Sequence, residues 1–493
     1  MSRINTNVSS LVARHNLQRS NNDLSTRMQR LSTGLKINRG ADDPAGLIVS
    51  ERLRGEISSI TQAVDNVERA SNVIATAEAA LQEVNTLLVE MKGLVVEAAN
   101  TGGFSEDEIA ANQLQIDSAV ESISRIANTT NFAGLKLLNG SLDYVTKDVV
   151  ASQISDVSVQ GVNFGTNSSM PVNVEVVGSA QTAELFLSGN HAGSPGELTS
   201  AVTFEVQGAN GAEVFSFASG TALSAVAFAV NAAKDATGVS ASLVSATDQT
   251  SGLVLNSTSY GSDAFVSVRK IEDGEFFQTF DAQGGSAVNR DHGEDVTALI
   301  NGSLALGDGL DVSLNSESLD IELGLTRSAA QTTGTTYSFD ITGGGATYQL
   351  GPDINTQQQV GFGIQSVAAS QLGNTTAGFL SSIRSGGDNA LTQGEDAAEQ
   401  ARKAGEILDL GIDQISTLRG RLGAFERNTL QTTLRSSQIG LENLTASESS
   451  IRDTDFAEET AALTRAQILQ QAGTATLGMA NNTSQSVLSL LGG

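Results

Sequence analysis

The chain has 493 residues, with 28 Lys and Arg against 55 Asp and Glu, a formal net charge of −27, 50 glycines, 4% aromatics and neither cysteine nor tryptophan. Without cysteine there are no disulfides, no thiolate chemistry and no Cys-based metal sites, and the acidic balance argues against nucleic acid as a partner. No run of about 18 apolar residues occurs, so no membrane span is expected.

The charge is unevenly placed. Residues 1–40 hold seven Lys/Arg and one Asp, spread along the segment rather than clustered into a nucleic-acid arm. "MSRINTNVSSLVARHNLQRS" lacks the continuous apolar stretch of a secretory signal, so an exported product would leave by another route. Leu24, Met28, Leu31 and Leu35 then mark a short helical seam, set among Asn, Ser and Thr. So thin a seam buries little, and the segment is expected to be disordered until neighbours cover it.

"STGLKINRGADDPAGLIVSERLR", residues 32–54, interrupts the helical pattern. Asp43 is a good N-cap, Pro44 suits the first helical position, and Gly34, Gly40 and Gly46 permit turns around Asp42. The stretch reads either as a joint between a thin terminal helix and a robust one starting near Pro44, or as a loop between two helices of one bundle. From there Ile60, Ala63, Val67, Ala70, Ile74, Ala77, Leu81, Val84, Leu88, Met91 and Val95 alternate spacings of three and four, a coiled-coil seam. Ile109, Ile116, Val120, Ile123 and Ala127 make a second seam, with Gln113 its one polar member, and "NTTNFAGLKLLNG" ends the helical region.

Residues 145–390 hold seven Lys/Arg against 25 Asp/Glu and change character. "VTFEVQG", "EVFSFAS", "VSASLVS", "GLVLNST" and "AFVSVRK" alternate apolar and polar residues between Gly/Asn turns, as antiparallel strands do. Leu223, Val226, Val230 and Ala233 lie on one helical face between them. "TYSFDITGGGATYQLG" reads as a hairpin through residues 343–345. The middle is expected to hold one or two β-rich domains, each with at most a short helix.

Toward the other end Ala404, Leu408, Gly411, Ile415, Leu418, Leu422 and Phe425 form a further seam. After Leu430 it resumes one residue out of step through Leu434, Leu441, Leu444 and Ile451, which shifts a supercoil locally. A thin seam of Leu477, Ala480, Val487 and Leu491 closes the chain. A long amphipathic helix cannot bury its own stripe, so the two ends should pack together. The expected fold is α+β: N- and C-terminal helices paired in a long α-helical coiled-coil bundle, with a β-rich inserted middle region.

Signals of catalysis are missing. His15, His191 and His292 are far apart, and there is no HExxH, no nucleophile elbow and no phosphate-loop GK[ST]. Asp291, Glu294 and Asp295 lack EF-hand spacing and read as a solvated acidic loop more readily than a calcium site. The expectation is a structural protein without metal or cofactor, not an enzyme.

Both ends of the chain resemble bacterial flagellin. "MSRINTNVSSLVARHNLQRSNNDLSTRMQRLSTGLKINRGADDPAGLIVSERLR" and "NTTNFAGLKLLNG" are similar to its N-terminal region, and "LGAFERNTL" and "ESSIRDTDFAEETAALTRAQILQQAGTATLGMANNTSQSVLSLL" to its C-terminal region. The likeness covers residues 1–145 and 390–493, and 201–268 resembles the strand-and-helix insert of some flagellins. It implies a subunit of the flagellar filament. Residues 1–44 and 454–493 would line the filament core, 45–145 and 390–453 would make the coiled-coil filament domain, and 146–389 the variable surface-exposed β-rich part.

The resemblance assigns self-assembly to Ile4, Val8, Leu11, Leu24, Met28, Leu31, Leu35, Leu463, Leu477, Ala480, Val487 and Leu491. It makes Gly40, Asp42, Asp43, Pro44 and Gly46 the joint, and Ile60, Val67, Ile74, Leu81, Val84, Leu88, Met91, Val95, Leu408, Ile415, Leu418, Leu422 and Phe425 the seam. It further implies an open helical homopolymer, export by the flagellar type III apparatus, a cytosolic chaperone on the C-terminal segment, and hook-associated and cap proteins as partners. The location would be extracellular, in the flagellum. A hook–filament junction protein shares the terminal pattern and is the alternative, though "GLKINRGADDPAGL" and "MANNTSQSVLSLL" favour flagellin.

One departure stands out. Flagellins sensed by the vertebrate innate flagellin receptor carry an arginine-rich stretch on the long helix, where this sequence has "VEMKGLVV". Val89, Glu90, Lys92 and Leu94 thus form an altered stretch, with Glu90 in place of arginine. An opposite charge at an interface hot spot costs on the order of several kcal/mol. Receptor reporter cells should therefore respond weakly; a response equal to that for an enterobacterial flagellin overturns this.

Overall fold

The computed structural model describes residues 6–165, 167–187, 196–245, 248–273, 277–316, 318–393 and 397–491, with backbone alone at 248–250, 273 and 483–491. Helices α1 (Val8–Thr33), α2 (Pro44–Ala98) and α3 (Glu106–Thr129) come first, α4 (Leu223–Ala232) lies in the middle, and α5 (Ala397–Ala424), α6 (Gln431–Arg452) and α7 (Phe456–Leu491) close the chain. Helical ends around a β-rich middle are what the sequence leads one to expect. The chain divides into two compact units: residues 1–71, 349–358 and 425–493 form one, residues 72–348 and 359–424 the other.

In the second unit the α2 seam is dry. Ile74, Leu81, Val84, Leu88 and Met91 are fully buried and Val95 nearly so. Ala404, Leu408, Ile415, Leu418 and Leu422 of α5 run antiparallel along it and are equally buried. Gly411 faces Leu88 across the seam, where a Cβ would make ordinary contact with the Leu88 methyls at 3.8 Å. Lys92 pairs with Asp409 and Arg419 reaches Glu78 at 3.9 Å, framing the seam. Each such leucine contributes about 1.5–3 kcal/mol by leaving water.

Helix α3 starts at a complete capping box, in which Ser105 Oγ accepts from the Glu108 amide and Glu108 answers the Ser105 amide. Its seam residues Ile116, Val120, Ile123 and Ala127 are buried. Gln113 is buried with them because its amide is used up. Its Nε2 donates to the Ile383 carbonyl (2.8 Å) and to Asp117 (2.9 Å), and its Oε1 accepts from the Leu391 amide (2.8 Å). It ties the helix to the segment leading into α5.

In the first unit the one-residue slip of the C-terminal seam is absorbed by a π-helical turn, Phe425–Leu430. A π turn takes one extra residue, so Phe425 and Leu430, five apart, both stay buried on one side. Beyond it Leu434, Leu441, Leu444 and Ile451 are half-buried. On α2, Val67 is buried and Ile60 half-buried.

The β-rich middle builds two cores. One lies between a five-stranded sheet containing Met170–Gly178 and Thr336–Gly344 and a four-stranded sheet containing Ile154–Val162 and Leu319–Leu325, with Val172, Val174, Ile321, Leu323 and Phe339 inside. The other lies between two four-stranded sheets, one containing Asp248–Tyr260 and Val239–Ser245, the other Val202–Gln207 and Ala212–Phe217. There α4 sets Leu223, Val226 and Val230 against Phe204, Val206 and Leu253. The neighbouring strands named here pair antiparallel.

Two local expectations are corrected. The strands either side of residues 343–345 do not pair with each other: Thr336–Gly344 pairs with Met170–Gly178 and Tyr144–Lys147, and Ala346–Gln349 with Gln359–Phe362. The glycines serve a close crossing, since a Cβ on Gly344 would lie 2.1 Å from the Asp143 carbonyl and one on Gly345 2.5 Å from the Tyr144 ring. Nor is the 291–295 cluster a free acidic loop. Asp291 accepts from the Glu184 amide (2.8 Å), Glu294 from Gln181 (2.8 Å), and Asp295 from the amides of Ser262 (2.9 Å) and Gly309 (2.8 Å). His191 lies outside the described residues.

Replacing Gln113 by leucine would fill the same volume but leave the Ile383 carbonyl and Leu391 amide unpaired. Each buried orphan costs about 1–3 kcal/mol, so Gln113→Leu should lower the urea midpoint clearly; an unchanged midpoint contradicts the role given to this side chain.

Candidate assembly surface

The sequence places its candidate residues mainly on the terminal helices, and the first unit shows how these are held. Asn7 caps α1, its Oδ1 accepting from the Ser10 amide at 3.0 Å. The helix then runs antiparallel to α7. Asn7 Nδ2 donates to the Ala480 carbonyl (2.9 Å), Ser10 Oγ to Asn481 (2.7 Å) and Ser20 Oγ to the Ala466 carbonyl (3.4 Å). Small residues permit the approach: Ala13 and Ala466 are buried, and a Cβ on Gly473 would come within 3.3 Å of Leu17. At the far end Arg27 grips both oxygens of the almost fully buried Glu459 at 3.3 and 3.1 Å, while its Nε reaches Asp23 at 3.2 Å. Desolvation works against the Arg27 charge, but the carboxylates of Glu459 and Asp23 outweigh it and raise its pKa.

Both terminal segments are therefore helical within the single chain, where the sequence led us to expect disorder without neighbours. Each is the other's neighbour. The pairing leaves much apolar surface uncovered. Val8, Leu11 and Met28 are exposed, as are Val12, Ile468, Leu469 and Met479, while Leu24, Leu31, Leu35, Leu463, Leu477 and Ala480 are half-buried. Ile4 lies outside the described residues, and so do the side chains of Val487 and Leu491, whose backbone belongs to α7. A helix pair with this many bare aliphatic groups has more surface to bury.

The joint residues form one hydrogen-bonded turn. Gly34 ends α1 in the left-handed conformation at φ +73°, its amide on the Arg30 carbonyl at 2.8 Å. Asp42 gathers the amides of Asn38 (3.0 Å) and Arg39 (2.9 Å), and these bonds lower its pKa. Asp43 caps α2 by accepting from the Gly46 amide at 2.9 Å, with Pro44 at the first helical position. Gly46 has to be small: a Cβ would meet Asp43 at 2.6 Å and buried Ile37 at 2.7 Å. Gly40 is less constrained, its nearest neighbour being Leu47 at 3.6 Å.

The boundary that the resemblance set at residues 453/454 falls on a second break, whose pairing with the first the sequence did not reveal. Residues 453–455 interrupt the helix between α6 and α7, and Leu35 forms a β-bridge with Asp453. The Lys36 amide donates to the Arg452 carbonyl (2.7 Å) and the Thr454 amide to the Gly34 carbonyl (2.9 Å). Arg452 adds a 2.8 Å bond to Glu51 of α2. Complementary charges in the two terminal strings were visible, but nothing local gave their register.

In the second unit Val89 and Glu90 are exposed and Leu94 half-buried. Glu90 and Leu94, with Leu87, Glu97 and Leu114, line an open groove of about 900 Å³ along α2 and α3. Lys92 faces α5 instead, held by Asp409.

Residues 4–143 match the bacterial flagellin N-terminal helical region, 406–491 the flagellin C-terminal helical region, and 203–259 the flagellin hook IN motif. B-type flagellin of Pseudomonas aeruginosa is 32% identical over 99% of both chains, and a flagellin of Salmonella rubislaw 28% over 99% of both. Among solved structures, flagellar hook associated protein-3 of Legionella pneumophila covers 81% of this chain and 98% of its own at 11% identity, with a TM-score of 0.31.

Another concave site is acidic. A cavity of about 540 Å³ in the second unit is lined by Asp156, Asp311, Glu322 and Arg421 among others. Among the described residues no group of three or more acidic or histidine side chains is placed to hold a metal ion. Desolvation, then repulsion from Glu322, Asp308 and Asp156, pushes the Asp311 carboxyl up to about 6, although its solvent-facing edge screens part of this. Because the folded pKa is raised, the stability contributed by protonated Asp311 is full below about pH 4 and lost as pH rises through 6. Asp311→Asn should hence raise the thermal midpoint at pH 8 and give no gain at pH 4; equal gains at both would count against the repulsion.

Proposed function

This chain belongs to the bacterial flagellin family, and on that premise we propose how its parts serve the family's task. It is a structural subunit that polymerises into the bacterial flagellar filament used for swimming. The observation that carries this is the likeness to B-type flagellin along 99% of both chains, which no short motif could produce. A hook–filament junction protein is less well supported, because the relatives matching over the full length are flagellins.

Residues 1–44 and 454–493 line the filament core, 45–145 and 390–453 make the surrounding coiled-coil domain, and 146–389 project from the surface. The aliphatic groups left bare on α1 and α7 support self-assembly through Val8, Leu11, Met28 and their partners. Such contacts are heterologous, one face of a copy meeting a different face of the next, so growth stays open-ended. The subunit has no enzymatic role. It is exported through the flagellar type III apparatus, with a cytosolic chaperone on its C-terminal segment, and ends outside the cell, where it meets hook-associated and cap proteins.

The test compares the full chain with residues 45–450 by sedimentation and negative-stain microscopy. Filaments from the full chain and soluble monomers from the trimmed one are expected. A full chain that stays monomeric with seeds and precipitant would move the junction-protein reading to first place.

A further inference from the structure

We propose that residues 34–36 and 452–454 form a clasp that makes the two terminal helices order and move as one body, with Arg452 as its positioning residue. The inference rests on the filament-subunit reading above and goes beyond it, since that reading treats the two ends as separate contributors to a common core.

A break between helices is ordinarily the most pliable point of a chain. Here two breaks, more than 400 positions apart in sequence, are bonded backbone to backbone. The Lys36 and Thr454 amides cross over to the Arg452 and Gly34 carbonyls at 2.7 and 2.9 Å, with Leu35 and Asp453 facing each other between them. Any change in the direction of α1 as it leaves residue 33 therefore pulls on the start of α7. Arg452 fixes this crossing to α2. Its side chain is only 17% exposed, its Nη1 lies 2.8 Å from Glu51, and Glu448 stands 3.9 Å away one turn earlier.

The clasp is also held from behind. Asp453 accepts from Ser449 Oγ at 2.7 Å, its amide bonds the Ser449 carbonyl at 2.9 Å, and Asp455 starts α7 by accepting from the Ala457 amide at 2.8 Å. Further along, Arg27 and Glu459 join the helices again.

The consequence concerns how the ends order. Each terminal helix has a thin seam and is marginal alone, because starting a helix is costly and its partner must first be found. Once the clasp is closed, α1 and α7 begin side by side in register, and each added turn of one finds the other already in place. The assembling unit is then the pair.

The bonding pattern offers a direct test. Bonds from the flanking residues make Leu35 and Asp453 a non-hydrogen-bonded antiparallel pair, with Cα atoms about 4.5 Å apart, within the roughly 4.4–6.8 Å that a disulfide spans. The chain has no cysteine, so Leu35→Cys with Asp453→Cys supplies its only thiols. Oxidised double mutant should polymerise at a critical concentration roughly three- to tenfold below that of the same protein reduced, because the cross-link removes the search for register. Oxidised protein that assembles no better than the reduced form, or not at all, overturns the clasp.

Arg452→Ala in the cysteine-free chain gives an independent reading. It should raise the critical concentration several-fold and speed amide exchange in both α1 and α7 of the filament, with Arg452→Lys recovering part of the loss. Faster exchange confined to α7, or none, overturns the coupling, and this arm decides alone if the reduced double mutant fails to assemble. Wild-type chain that never polymerises would instead refute the filament reading itself, whereas wild-type filaments beside an inert oxidised variant would refute only the clasp.

Discussion

A 55-residue amphipathic helix cannot bury its own apolar stripe, and the rest of the molecule follows from that. Helix α2 carries a seam that needs a partner of matching length. For the part of the seam beyond Ile74 the chain supplies one as the antiparallel α5, whose Asp409 lies 317 positions beyond Lys92 and whose Gly411 faces Leu88. Closing so long an excursion is cheap, because the entropy of loop closure grows only with the logarithm of length. The middle is thus free to vary as long as it returns the chain to the seam. It does so by folding on its own account, around two β cores that contain no residue of α2, α3 or α5.

What could be read from the sequence was periodic or compositional. The α2 and α5 seams, the alternating strands and the short helix at residues 223–232 all have a repeat that a side chain's neighbours enforce. The slip after Phe425 was legible too, and it has a concrete form in the π turn. What could not be read was long-range pairing. The residues around 343–345 carry the composition of a hairpin, yet their strands pair elsewhere, because glycine there answers a close crossing over Asp143 and Tyr144. Gln113 looked like a blemish in a seam and is a tether whose partners lie 270 residues on.

The assembly surface divides the same way. Asp43, Pro44 and Gly46 announce a cap locally, and the structure uses them as one. Arg27 and Arg452 announce nothing, since a basic residue in an Asn- and Ser-rich helix is most often solvated. Only the fold brings Arg27 to a buried Glu459 and Arg452 to Glu51. A buried carboxylate without its guanidinium would cost several kcal/mol, so such pairs fix register more than they add stability.

Charge gives these contacts a setting. The unit built from residues 1–71, 349–358 and 425–493 holds 14 Lys/Arg against 15 Asp/Glu, so nearly all of the chain's net charge of −27 lies in the other unit. A near-neutral helical unit with bare aliphatic groups can approach further copies of itself without long-range repulsion. Its attractions are short in reach: van der Waals packing and a few paired charges. The acidic unit repels its own kind over about a Debye length, roughly 8 Å at physiological salt. On charge alone, long-range repulsion opposes contact between copies through the acidic unit more than through the near-neutral one. Single-sign surface charge keeps that body soluble at the density a polymer imposes. Such a division of charge leaves short-range packing free to act on the near-neutral unit while like charge holds the acidic units apart.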